Sequence, residues 1–183
     1  MPRKTPTATY DWPREIHGVL RANAVRQVAY VPDAGHKRLI ELCHDDKDLT
    51  VVPLTTEEEG IALAAGAWLG GERSALLMQS SGVGNCVNMF TLATHCSFPL
   101  LILVTMRGEW GEFNSWQVAM GQATRETLER AGARTFRVEC AEETGAAVDA
   151  AARLAWNTNA VTAVLIAQRM IGTKTFGSQG GAK

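Results

Sequence analysis

LTVVPLTTEEEGIALAAGAWLGGERSALLM, residues 49–78, reads as strand, helix and strand in one continuous run. Residues 49–54 are short, apolar and rich in β-branched side chains, which suits a strand. Residues 56–69 hold three acids followed by an almost wholly apolar, alanine-rich stretch, Ile61 to Leu69, and Gly70-Gly71 closes it. Acids at the start and glycine at the end are the marks of a helix. Residues 75–78 are a second apolar strand. Two strands joined by a helix of this length lie parallel in one sheet.

The same alternation continues in both directions. Upstream, Asp11-Trp12-Pro13 starts a helix that runs to about Asn23, with Asp11 as its cap and Pro13 in its first turn. A strand over 28–31 ends at Pro32-Asp33-Ala34-Gly35. A helix over 36–44 turns Leu39, Ile40, Leu42 and Cys43 inward. Downstream, a helix is expected over 83–96, then a strand over 99–105 in which Leu100-Leu101-Ile102-Leu103-Val104 is unbroken, as at the centre of a parallel sheet. A loop rich in Gly, Trp and charge covers 107–116. A helix over 124–131, a strand over 135–138, a helix over 141–156 and a strand over 161–166 complete the pattern. The expected fold is α/β: a doubly wound, mainly parallel six-stranded sheet with helices on both faces. One domain spans 12–170, with flexible segments expected at 1–11 and 171–183.

With 18 basic and 19 acidic residues the formal charge is −1, which gives no electrostatic footprint for nucleic acid or an anionic membrane. Apolar runs are too short to span a bilayer. The polar start of the chain has no signal-peptide core, and Arg3 and Lys4 are all that a transit-peptide reading can rest on. Cys43, Cys86, Cys96 and Cys140 show no metal-binding spacing, so four reduced, buried, structural thiols in a cytoplasmic protein are expected.

In doubly wound sheets, ligands sit beyond the carboxyl ends of the strands near a switch in strand order. Four loops qualify. In Glu57-Glu58-Glu59, helical periodicity puts only Glu57 on a stripe with Ile61, Ala64 and Trp68. A carboxyl on an apolar face can hold a proton against a heterocyclic nitrogen; equally, all three acids fit the positive end of the helix dipole. In Gln79-Ser80-Ser81-Gly82-Val83-Gly84-Asn85, Gly82 and Gly84 permit close backbone approach to a ligand, or simply a tight strand-to-helix turn. The loop is neither a dinucleotide fingerprint, since Val87 stands where the last glycine belongs, nor a Walker A loop. Asp33, His36 and Lys37 follow the first strand and Arg107 follows the most apolar one; they fit either solvated loop positions or the grip on an anionic substrate. His44 and His95 fall on helices, where packing is the simpler role. Trp110, Phe113 and Trp116 suit a lid or an oligomer contact.

Taken together, Thr56 through Gly66, Met78 through Asn85, Met106-Arg107-Gly108-Glu109, Val31-Pro32-Asp33 and Gln117-Val118-Ala119-Met120-Gly121 resemble the pyrimidine-binding domain of thiamine-diphosphate-dependent 2-oxoacid decarboxylases. Within that family they resemble the branch acting on sulfopyruvate and phosphonopyruvate, over about residues 12–166. The resemblance implies that Glu57, nine residues before Gly66, is the glutamate that hydrogen-bonds N1′ of the cofactor's aminopyrimidine. It implies cofactor contacts from Ser81, Gly82, Gly84 and Asn85, and substrate or proton-handling roles for Asp33, His36, Lys37, Arg107 and Gln117. The cofactor's chemistry would release CO2 and an aldehyde from the 2-oxoacid.

The family binds diphosphate and Mg2+ through a second domain with a GDG motif, which this sequence lacks. The resemblance therefore implies an alpha subunit whose thiamine diphosphate and Mg2+ are anchored by a separate beta subunit. Ala62, Ala64, Ala65 and Gly66 suit close helix packing at that junction. Val118 follows Gln117 where phosphonopyruvate enzymes tend to carry histidine, which favours 3-sulfopyruvate, with sulfoacetaldehyde as product. His36 replaces an apolar residue common in relatives. Phosphonopyruvate or another acidic 2-oxoacid, and a non-catalytic regulatory paralogue, are the alternative readings.

Overall fold

The computed structural model describes residues 10–172. The flexible segments expected at 1–11 and 171–183 fall mostly outside the described residues. The order is α1 (Trp12–Ala22), β1 (Val25–Tyr30), α2 (Lys37–Asp45), β2 (Thr50–Pro53), α3 (Glu57–Leu69), β3 (Arg73–Gln79), α4 (Ser80–Asn85), α5 (Phe90–His95), β4 (Leu100–Thr105), α6 (Trp116–Arg130), β5 (Arg134–Val138), a 3-10 turn (Ala141–Glu143), α7 (Thr144–Thr158), β6 (Val161–Ile166) and α8 (Gln168–Ile171). All six strands are parallel, in the order β2-β1-β3-β4-β6-β5.

Side chains alternate across the sheet and build two cores. On one face Val28, Leu77, Leu101, Leu103, Val164 and Ile166 pack with α1, α2 and α7. On the other, Ala29, Leu76, Met78, Ile102, Val104 and Leu165 pack beneath α3 and the segment carrying α4 to α6. Every residue of β4 is buried, as its unbroken apolar run predicts. Each such Leu, Ile or Val contributes about 1.5–3 kcal/mol on burial.

Four elements differ from the sequence pattern, one of them the helix expected over 141–156, which opens as a 3-10 turn before α7 begins at Thr144. The helix expected over 83–96 is two short helices, separated by a turn at 86–89. The first begins at Ser80 because that side chain is buried and accepts the Arg107 N–H at 3.0 Å, drawing the chain into a helix as soon as β3 ends. The helix expected over 124–131 begins at Trp116. Packing overrides the poor helix propensity of Val118 and Gly121: an ideal Cβ at Gly121 would lie 2.0 Å from the Arg107 carbonyl oxygen, so only glycine lets α6 pass this close. Finally, α8 follows β6 directly. Cys43 and Cys86 are buried, and burial pushes their thiols up to about 12, but Cys96 and Cys140 are exposed, against expectation. All four are free. No helix among the described residues is long and apolar enough to cross a membrane.

Candidate active site

Strand order reverses between β1 and β3, so the segments leaving β1, β2 and β3 converge at the carboxyl edge. The three glutamates reach it differently. Glu59 is three residues past the Thr56 cap, and its Oε2 accepts the N–H groups of Thr55 (2.9 Å) and Thr56 (3.4 Å), which fixes the helix start. Glu58 faces solvent. Glu57 turns inward and is 5% exposed.

The Glu57 carboxylate lies directly on the backbone of α4. A Cβ built at Gly82 would come within 2.5 Å of its Cγ, Cδ and Oε1, so Gly82 makes room for this side chain. Asn85 donates from Nδ2 to Glu57 Oε2 at 2.8 Å. Among the described residues the hydrogen bond to this carboxylate reaches Oε2 and not Oε1. One oxygen is thus held and the other remains to accept from a ligand. Gly84 is exposed and faces Met120, and Ser81 is half-buried beside Gly82. Glu57, Ser81, Gly82, Gly84 and Asn85 are therefore gathered by α3 and α4.

The loop after β1 crosses the end of β3 to reach β4. Asp33 Oδ2 accepts from Thr105 Oγ1 at 2.6 Å and from the Gly35 N–H at 3.1 Å. Lys37 is exposed, with Glu41 3.9 Å away. Asp33 and Lys37 line a cleft of about 410 Å³ with Tyr30, Pro32, Ala34, Ile40 and Glu41. His36 does not join them. It is fully buried, with Nε2 3.0 Å from the Leu103 carbonyl oxygen and Nδ1 unpaired among the described residues. Burial pushes its pKa down, against the opposing pull of Asp33 and the nearby carbonyls, so the ring is neutral.

Arg107 also has an internal partner. It is 6% exposed, and its Nε and Nη2 donate to the two oxygens of Glu112 at 3.0 and 3.3 Å. Glu112 further accepts from the N–H groups of Gly108 and Asn114 and from Gln168 Nε2 at 2.8 Å. Burial favours the protonated acid, but the Arg107 and backbone donors outweigh it and hold the carboxyl at about 2. Gln117, in the first turn of α6, has a buried Oε1 without a partner among the described residues. Glu112 and Gln168 escape a sequence reading; the only signal of Glu112 is an acid five residues from Arg107. His44 meets Tyr30 Oη at 3.0 Å, while His95 is exposed.

The α subunit of sulfopyruvate decarboxylase from Methanococcus maripaludis is 36% identical to the chain over 152 residues, covering 82% of this chain and 91% of the relative. The chain belongs to the sulfopyruvate decarboxylase alpha-subunit family. A second family member, from Methanocaldococcus jannaschii, is 33% identical over 70% of this chain and 76% of its own length. Phosphonopyruvate decarboxylase from Streptomyces viridochromogenes is 36% identical over 57% of this chain but only 27% of that enzyme. No protein-family model matches the chain. Among solved structures, 2-oxoglutarate:ferredoxin oxidoreductase from Magnetococcus marinus superposes with a TM-score of 0.71 over 92% of this chain and 34% of that one. At 14% identity it shares the fold of this sulfopyruvate decarboxylase family member, and the likeness extends no further.

The donor set can be tested against thiamine diphosphate. A buried carboxylate with one uncommitted oxygen fits a heterocyclic nitrogen that shares a proton. No group of three or more His, Cys, Asp or Glu among the described residues is placed to hold a metal ion.

Proposed function

We propose that the chain is the alpha subunit of a heteromeric, thiamine-diphosphate-dependent decarboxylase that converts 3-sulfopyruvate to sulfoacetaldehyde and CO2 in the cytoplasm. The observation that carries this reading is Glu57, buried on the Gly82 backbone at the carboxyl edge, with Asn85 holding one oxygen and the other uncommitted. When bound, the cofactor supplies the electron sink for cleavage of the carboxylate from the 2-oxoacid. Glu57 would hold a proton at the aminopyrimidine nitrogen, and Asn85 would orient its carboxylate. Ser81, Gly82 and Gly84 would border the ring. A beta subunit would supply the anchor for diphosphate and Mg2+ and close the site.

For the substrate's anionic end, Lys37 is the more available cation, because Arg107 is committed to Glu112. Asp33 lines the same cleft, and Gln117 would approach the substrate from the first turn of α6. His36 and Arg107 would serve by bracing the loops that carry these groups. Phosphonopyruvate is the second substrate reading, favoured by the similarity to the Streptomyces enzyme.

The test is aldehyde release from both 2-oxoacids by the chain co-assembled with its beta subunit, thiamine diphosphate and Mg2+. Sulfopyruvate should be preferred. Glu57→Gln should lower turnover by about 10²–10⁴-fold, the scale of a lost proton-handling group, while Glu58→Gln and Glu59→Gln should do far less. Equal losses at all three positions would sink the assignment of Glu57.

A further inference from the structure

Strand order reverses a second time between β4 and β6, and the segments leaving those two strands meet there. Gln168, the first residue of α8, is 1% exposed. Its Oε1 accepts the N–H groups of both Glu109 and Trp110 at 2.9 Å, and its Nε2 donates to Glu112 Oε2 at 2.8 Å. Its own N–H donates to Glu109 Oε2 at 3.3 Å. One amide thus satisfies two loop donors and the same carboxylate that engages Arg107. Next to it, Arg169 stacks on Trp110 with 4.5 Å from guanidinium carbon to ring centre. The far side is fixed by Arg137, which forks onto Glu109.

We propose that Gln168 is a positioning residue: it latches the 107–116 loop to β6 and so sets the substrate-facing edge formed by Trp110 and the first turn of α6. It rests on the proposed decarboxylase reading, in which Gln117 of the first α6 turn faces the substrate. The amide is required at neutral pH because the site needs an acceptor for two N–H groups and a donor to an ionised carboxylate, which neither an ionised acid nor an apolar side chain supplies together.

Gln168→Glu separates these two roles. It keeps the acceptor for Glu109 and Trp110 but sets a carboxylate against Glu112, with Glu109 also near and Arg107 as the opposing cation. Two carboxyls this close cannot both ionise readily, so one takes up its proton above the usual carboxylate range, between about pH 5 and about pH 9. Below that transition a shared proton restores the contact; above it repulsion frees the loop. The readout is the fluorescence and quenching of Trp110, taken as the difference from a Trp110→Phe background, in the assembled complex with the beta subunit. Gln168→Glu should show a pH transition that Gln168 does not, and above it KM for sulfopyruvate should rise up to about tenfold with kcat little changed, the size of one or two hydrogen bonds. Trp110 is already 56% exposed, so the signal is loss of its stacking on Arg169; should Gln168→Glu fail to fold, Gln168→Met should change Trp110 emission and quenching at every pH, with the same rise in KM.

A Trp110 signal identical in variant and native protein overturns the latch. A transition with unchanged KM overturns the positioning role. A native complex inactive on both 2-oxoacids counts instead against the decarboxylase reading, and the Trp110 transition then decides the latch by itself.

Discussion

Three adjacent glutamates at the start of α3 end in three environments because successive helical positions turn by about 100°. One meets the core, one meets water and one folds back on the helix start. The neighbour of Glu57 matters as much as the acid. Gly82→Ala should cost turnover heavily while the protein stays folded, because the new methyl group would occupy the space of the carboxylate. The check is aldehyde release alongside circular dichroism; full activity in the variant would mean that Glu57 does not need its present position. Glu57 is legible in the sequence because helical periodicity separates it from its neighbours. The Gly82 contact is not, since glycine at a strand-to-helix turn looks alike whether it admits a ligand or a side chain. His36 and Arg107 show a related limit. Charge and position nominate them for an anion, but a histidine or arginine can equally find its partner inside the fold.

At the scale of elements, strands were the more legible because burial on both faces leaves an uninterrupted apolar run, as in β4. Helix bounds were less so where a glycine or an alanine sits at a contact: α6 extends to Trp116 through Gly121, whose packing against Arg107 has no sequence signature. The 107–116 loop is an element in its own right, held by the Arg107–Glu112 pair. Removing one member of such a buried pair costs about 3–5 kcal/mol. Glu112 titrates at about 2 in the fold against an ordinary 4.5. A carboxyl depressed by folding contributes stability that is present above its unfolded value and lost as pH falls toward its folded one. The destabilisation caused by Glu112→Gln should therefore be largest at neutral pH and shrink as pH is lowered from about 4.5 toward 2. Urea unfolding of both proteins across that range checks it; a gap independent of pH would contradict it.

At the scale of the whole molecule, alternation of elements was enough to predict a parallel, doubly wound sheet, and the sheet is all parallel. Strand order was not available, because periodicity reports which face is buried and not which strand lies alongside. The carboxyl edge gathers an acid, an amide and glycines, but among the described residues no metal-holding cluster. Exposed apolar side chains lie at or near this edge, with Trp116 74% and Val118 40% exposed. The chain alone should bind thiamine diphosphate weakly even with Mg2+, and tightly once the beta subunit is added. Titration calorimetry of both preparations checks this, and micromolar binding by the isolated chain would place the diphosphate anchor within it.

The position of β6 carries a consequence for synthesis. It lies between β4 and β5, and among the described residues β5 pairs with no other strand. While the chain emerges from the ribosome, β4 has one neighbour and one open edge, and that edge belongs to the most apolar strand of the protein. Until residues 161–166 are available, the nascent chain presents a ready template for pairing with another copy of itself. Among the described residues, the last strand in the sequence is the one that seals the sheet.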